Sequence, residues 1–121
     1  MTDDDIDALK AGRDLDELIA KVVLGKSWDG SELINTHDGK PAHLPHYSTN
    51  LVAAFDLLDV LRKNGCEFHF QMHPDGVLST LWREGDRFHC HQSDAGKLPL
   101  AICQIALKSA MQSQRESMVM P

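Results

Sequence analysis

Cysteine is scarce: three in 121 residues, Cys66, Cys90 and Cys103, an odd number with no C-x-x-C spacing. Each sits in an apolar pattern, so the reading is three buried free thiols in a reducing compartment rather than a disulfide framework. Positive charge is also in short supply. Twelve Lys and Arg against eighteen Asp and Glu leave a formal charge of −6, which argues against a protein that wraps nucleic acid, because phosphate binding needs a basic surface. Lys26, Lys40, Arg62, Lys63, Arg83, Arg87 and Lys97 are scattered and form no patch in the sequence. No apolar run approaches the roughly 18–20 residues that a membrane span needs. The acidic start, Met1-Thr2-Asp3-Asp4-Asp5, leads into no apolar h-region and does not read as a secretory signal. The expected compartment is the cytoplasm. There is no G-x-S-x-G and no Gly-rich phosphate loop, so nothing local marks a nucleophile; the chain is not expected to be an enzyme, and no cofactor is expected.

What is present is an ordinary globular composition, 42% hydrophobic, and enough chain for one core. One stretch is bounded at both ends. Ser48, Thr49 and Asn50 are N-cap residues, Leu51, Ala54, Phe55, Leu58, Val60 and Leu61 recur at helical spacing, and Asn64-Gly65 is a stop signal. Asp56 and Asp59 precede Arg62 and Lys63, the order that suits the helix dipole. Upstream, Thr2 caps a short helix over 3–10 anchored by Ile6 and Leu9. A second begins at Asp14, with Leu15, Leu18, Ile19 and Val22 on one face, and ends at Gly25.

Residues 26–47 are the least regular stretch, turn-rich and long enough to be functional or mobile, with Leu33-Ile34 a brief strand or a plug on the core. After residue 65 the period changes to two. Cys66 to Met72, Val77 to Arg83 and Arg87 to His91 read as three strands joined by the turns Pro74-Asp75-Gly76 and Glu84-Gly85-Asp86. Short loops imply an antiparallel meander. The Phe68/Phe70/Met72 and Phe88/Cys90 faces are expected to meet the helices, leaving a polar face of His69, Gln71, His73, Arg87, His89 and His91. Pro99 suits the first turn of a last helix whose inner stripe is Leu98, Ala101, Ile102, Ile105, Ala106 and Ser109.

The resulting fold class is α+β: a three-stranded antiparallel meander packed with α-helices, in the order α-α-β-β-β-α, as a layered α/β sandwich. Residues 1–111 form a single domain, and 112–121 are a polar tail expected to fray.

Three pieces carry a family likeness. They are Gly12-Arg13-Asp14-Leu15-Asp16 with Ala20 and Gly25, His46-Tyr47-Ser48-Thr49-Asn50 with Ala53-Ala54, and Leu98-Pro99-Leu100-Ala101-Ile102-Cys103 with Ala106-Leu107. In this order they resemble the phage ABA sandwich domain family of small phage and prophage proteins, and the matching pieces cover roughly half the chain. The family often has Trp directly after the helix-ending glycine; here Lys26-Ser27-Trp28 follows Gly25, and Asn50 stands where Asp is common. The resemblance implies helices on both faces of a sheet and a phage setting in a bacterial host. It implies no particular chemistry.

Two groups of side chains invite a site. Tyr47, Ser48, Thr49 and Asn50 sit at a helix N-terminus, which favours anions, and Trp28 and His46 would add stacking and donors for a nucleotide-like ligand. The alternative is that the hydroxyls and amide cap the helix and Tyr47 packs. Seven histidines are a high share, and His69, His73, His89 and His91, on two strands that could lie near each other but need not be neighbours, are a runner-up zinc set. Cys90 lies between two histidines but, on a strand, points away from both.

The function expected is a phage accessory protein acting on a host component as a non-catalytic binding module. Alternatives are a sponge for a nucleotide-derived signalling molecule, a His-based zinc protein, or a virion-associated structural protein. The partner is a host protein, for which Leu78 and Trp82 are the candidate exposed face, or a small ligand. The Met118–Met120 end and the mixed sheet face offer surface for a homo-oligomer.

Overall fold

The computed structural model describes residues 2–25, 33–35 and 41–119, and the side chains of 33–35, 41–42 and 112–119 lie outside that description. Helix α1 (Asp3–Asp7) begins at a reciprocal cap: the Thr2 hydroxyl accepts from the Asp5 amide, and the Asp5 carboxylate accepts from the Thr2 amide. Three acids in its first turn suit the positive helix end. Helix α2 (Arg13–Leu18) runs on into a π-helical turn, Ile19–Val23, closed by the Leu24 amide donating to the Ile19 carbonyl at 3.2 Å.

Strands β1 (Leu33–Asn35) and β2 (Pro41–His43) pair antiparallel as a small ribbon. Of the two readings of Leu33-Ile34, the strand holds. Helix α3 (Leu51–Lys63) has Asn50 as its N-cap, with the side-chain oxygen accepting from Ala53 N at 3.1 Å. Its buried stripe is Ala54, Leu57 and Leu61, while Leu51 and Phe55 are exposed. The apolar face is therefore rotated from the one expected from the sequence.

Strands β3 (Cys66–Met72), β4 (Val77–Glu84) and β5 (Arg87–Asp94) form the expected antiparallel meander, ordered β3-β4-β5. The β4–β5 turn has only Gly85 and Asp86 between the paired Glu84 and Arg87. Gly85 takes φ +59° while Asp86 does not enter positive φ, which fits a type II′ hairpin with glycine first. A 3-10 turn, Ala95–Lys97, leads directly into α4 (Leu98–Val119). The backbone stays helical through the polar stretch from 112 to Val119.

The fold class is as read from the sequence, helices followed by the meander and a last helix, with the β1–β2 ribbon besides. The centre of the molecule is α4. Residues 101–107 are buried all round the helix, because α4 packs against β5 on one side and against α1, the π turn and α3 on others. The core joins Ile6, Leu15, Ile19, Leu44, Tyr47, Leu57, Leu61, Ile102 and Leu107.

Register decides which sheet face is inner. Phe68, Trp82 and His89 lie in one row, and Phe70, Thr80 and His91 in the next. The inner face thus carries Leu78, Thr80, Trp82 and His91, all buried. Phe88 and Cys90 share the opposite face with Leu81 and His69. That corrects two expectations. The Phe88/Cys90 face does not meet the helices, and the histidines divide between the two faces. Among the described residues no helix covers the outer face, on which Leu81 is 52% and Phe88 76% exposed.

Candidate functional site

The turn before α3 is positioned from thirty residues away. Asp16 is fully buried on α2. Its Oδ1 accepts from the Ser48 amide at 2.8 Å and the Ser48 hydroxyl at 2.7 Å, and its Oδ2 accepts from Arg13 Nη1 at 3.1 Å. Ser48 Oγ also accepts from the Gly12 amide at 2.9 Å, and Arg13 Nη2 donates to the Leu44 carbonyl at 2.9 Å. The Gly12–Asp16 and Tyr47–Ser48 pieces of the family likeness are thus each other's hydrogen-bond partners.

This assigns structural roles to two residues read as ligand contacts. Ser48 is buried and turned toward Asp16, and Asn50 caps α3. Tyr47 is buried, and its phenol is pushed up to about 12 by burial first and then by the carboxylates of Asp56 and Asp16, so it stays neutral. His46 and Thr49 are exposed beside it. Trp28 lies outside the described residues.

A groove of about 640 Å³ opens next to this turn, bounded by Ser48 and Thr49, the α1–α2 connection with Lys10, Lys97 of the 3-10 turn and Pro99 at the start of α4. Its size is that of a small-molecule site. At its floor Gln104 Nε2 donates to the carbonyl of Ile6 at 3.4 Å.

The histidines form no common site. His69 is on the outer face and exposed. His73, at the end of β3, bonds Ser79 Oγ at 3.0 Å. His89 stacks on Trp82 on the inner face, centroids 4.9 Å apart. His91 lies under α4, its Nε2 3.0 Å from Gln104 Oε1 and its Nδ1 3.1 Å from Lys108 Nζ, which in turn meets Asp7 at 2.8 Å. Gln104 presents its amide nitrogen to carbonyls, so its oxygen receives the Nε2–H of a neutral imidazole, and Nδ1 accepts from the lysine. Burial first, and then the Lys108 charge, lower the pKa of His91. The sheet stands between His69 and the inner His89 and His91, which corrects the shared zinc set. Among the described residues no three His, Cys, Asp or Glu side chains converge for a metal.

The thiols divide too. Cys103 is raised to about 12 by burial and then by Asp16, and burial raises Cys66, so both are inert at neutral pH. Cys90 is exposed on the outer face, a correction to the expectation of three buried thiols. It points away from His89 and His91, as strand alternation requires.

Leu78 and Trp82, read as an exposed patch, are 1% and 3% exposed. Sequence alternation identified a face but not its side. The patch that is open belongs to the other face. Leu81 and Phe88 are diagonal neighbours there, with the Arg83 guanidinium 6.0 Å from the Phe88 ring centroid. The same Arg83 bridges to Glu67 at 2.7 Å. An aromatic ring with an arginine laid against it is the composition of an interface hot spot.

A solved crystal structure of a phage protein from Bacillus cereus has this fold. It superposes with a TM-score of 0.64, spanning 87% of this chain and 90% of that one, at 21% sequence identity. No family model matches the chain, and no curated protein does. Among the described residues no helix is long and apolar enough to cross a membrane.

Proposed function

We propose that this chain is a phage- or prophage-encoded accessory protein, related to the ABA sandwich family by its three motif pieces though without a second helical layer among the described residues, and that it is a non-catalytic module that docks on a protein of the bacterial host in its cytoplasm. The observation that carries this reading is the open outer sheet face, where Phe88 and Leu81 stand in water beside Arg83. An exposed aromatic on a rigid sheet, rimmed by polar groups, is suited to a protein partner. The fold shared with a phage protein and the three motif pieces support the setting. The test is capture from host lysate by immobilised wild type and by Phe88→Glu, followed by titration of the captured protein in purified form. A partner that binds wild type and loses at least about tenfold in affinity to Phe88→Glu supports the reading. Capture indifferent to Phe88 and Leu81 overturns it.

The groove beside Ser48 and Thr49 favours a second reading, a sponge for a nucleotide-derived signalling molecule. Lys10 and Lys97 bring positive charge to a cleft of suitable volume near the first turn of α4. Native mass spectrometry of the protein as purified separates the two. A retained mass that disappears in Lys97→Ala supports the sponge, and a bare chain mass together with a Phe88-dependent protein partner supports docking.

A further inference from the structure

We infer that the edge of β3, unpaired among the described residues, pairs with β3 of a second copy of this chain, with a two-fold axis passing between the two His69 residues. This goes beyond the docking reading, because it concerns a different surface and a different partner.

The backbone supplies the first argument. The His73 amide donates to the Val77 carbonyl, and the β3–β4 register continues that pair as Gln71 with Ser79, His69 with Leu81 and Glu67 with Arg83. In an antiparallel ladder, bonded pairs alternate with non-bonded ones. The N–H and C=O groups of Cys66, Phe68, Phe70 and Met72 therefore point away from β4, along the sheet edge. That row has no proline, lysine or bulge to blunt it, the devices by which edge strands avoid pairing.

The second argument is the surface around it. A groove of about 540 Å³ runs along this strand. It is lined from β3 by Phe68 of the inner face and by Glu67 and His69 of the outer face, so it follows the edge itself, and its other wall is Phe55, Leu58, Asp59 and Arg62 of α3. Eight large hydrophobic residues are exposed among those described, and six of them belong to α3 or β3: Leu51, Val52, Phe55, Val60, Phe70 and Met72. Val52 is 72% and Met72 65% exposed.

Self-complementarity selects the occupant. An axis at His69 sets Phe68 opposite Phe70 of the second copy, and Cys66 opposite its Met72. Every outward N–H then faces an outward C=O. The one acidic residue of the strand, Glu67, falls opposite the uncharged Gln71 of the second copy, so no like charges are opposed. A two-fold perpendicular to the sheet keeps inner face with inner face. It therefore brings α3 of one copy toward α3 of the other on the same side, over the joined edge, where their exposed apolar residues can be covered together. The interface is isologous and closes at two copies.

Light scattering on the full chain tests this together with two sets of variants. Wild type is expected at twice the 13.5-kDa chain mass. Phe70→Pro removes an outward N–H that β4 does not use and is expected to give a monomer with an unchanged circular dichroism spectrum. The second set is built on Cys90→Ser. At a non-bonded antiparallel pair the two residues at position 69 have Cα atoms about 4.5 Å apart, within disulfide reach. His69→Cys is expected to oxidise to a covalent dimer, and Gln71→Cys, which faces residue 67, is not. This comparison stands even if Phe70→Pro fails to fold. A monomeric wild type, a dimer that survives Phe70→Pro, or equal cross-linking at 69 and 71 overturns the proposal. So does a wild type that stays monomeric until a host peptide is added, which assigns the edge to a different class of partner.

Discussion

Asp16 ties α2 to the turn before α3. It is fully buried, and it accepts from a backbone amide, a hydroxyl and a guanidinium. Hydrogen bonds to a charged group contribute roughly 1.5–3 kcal/mol each, and removing one member strands the others. Asp16→Ala is expected to lower stability in urea by about 2–4 kcal/mol. Asp16→Asn keeps an acceptor and is expected to cost less. Equal stability of Asp16→Ala and wild type would remove the clip as the device that holds the turn. His91 makes a prediction of a different kind. Its folded pKa is lowered, by burial and by Lys108, against the attraction of Asp7 and the bond to Gln104. The unfolded chain then binds the proton more readily than the folded one. The His91 contribution is fully present above the unfolded value of about 6.5 and is lost as pH falls from there toward the folded value. Urea midpoints at pH 7.5 and pH 5 are expected to differ more for wild type than for His91→Gln. An equal difference in both would place the acid sensitivity elsewhere.

At the scale of the element, α3 was legible because its signals are local. The Asn50 side chain bonds the Ala53 amide within the first turn, and Asn64-Gly65 stops the helix as expected. Asn50→Ala is expected to cost about 1 kcal/mol, and Asn50→Asp to retain stability, because Asp caps as well and its charge suits the dipole; urea unfolding of both decides. The strands were legible for the same reason, since alternation is a property of neighbours. Which face was inner was not legible. His91 looks like a surface residue until Gln104 and Lys108 of α4 are placed beside it, and Phe88 looks like a core residue until the register puts it across from Arg83 on the open side. The π turn after Leu18 was equally hidden, because Leu15, Leu18, Ile19 and Val22 fit an ordinary helical stripe. The candidate site was half legible. The sequence marked the Tyr47–Ser48 turn by its residue types, but Ser48's partner lies 32 residues earlier, and only the fold brings Asp16 to it.

The whole molecule is clasped by its two ends of sequence. Gln104 on α4 reaches the carbonyl of Ile6, 98 positions away, and Lys108 meets Asp7 at 2.8 Å. Ile6 itself is fully buried against the core. Helix α1 has only five residues, too few to hold together unaided in water, so its order must come from this docking. The dependence runs both ways. Without α1, Gln104 loses its backbone acceptors, His91 loses the group that orients its partner, and α4 gains an exposed side over the turns that are buried now. Deleting residues 2–9 is therefore expected to cost at least about 3 kcal/mol, from the loss of one buried isoleucine together with a stranded amide and lysine. It should also raise amide hydrogen exchange across 101–107, while leaving the β4–β5 hairpin less affected. Urea unfolding and exchange mapped by residue read both effects. If the truncated chain kept the wild-type midpoint and the wild-type protection of α4, α1 would be an ornament on a core completed by α2, α3 and the sheet, and the burial of α4 on every side would need another explanation.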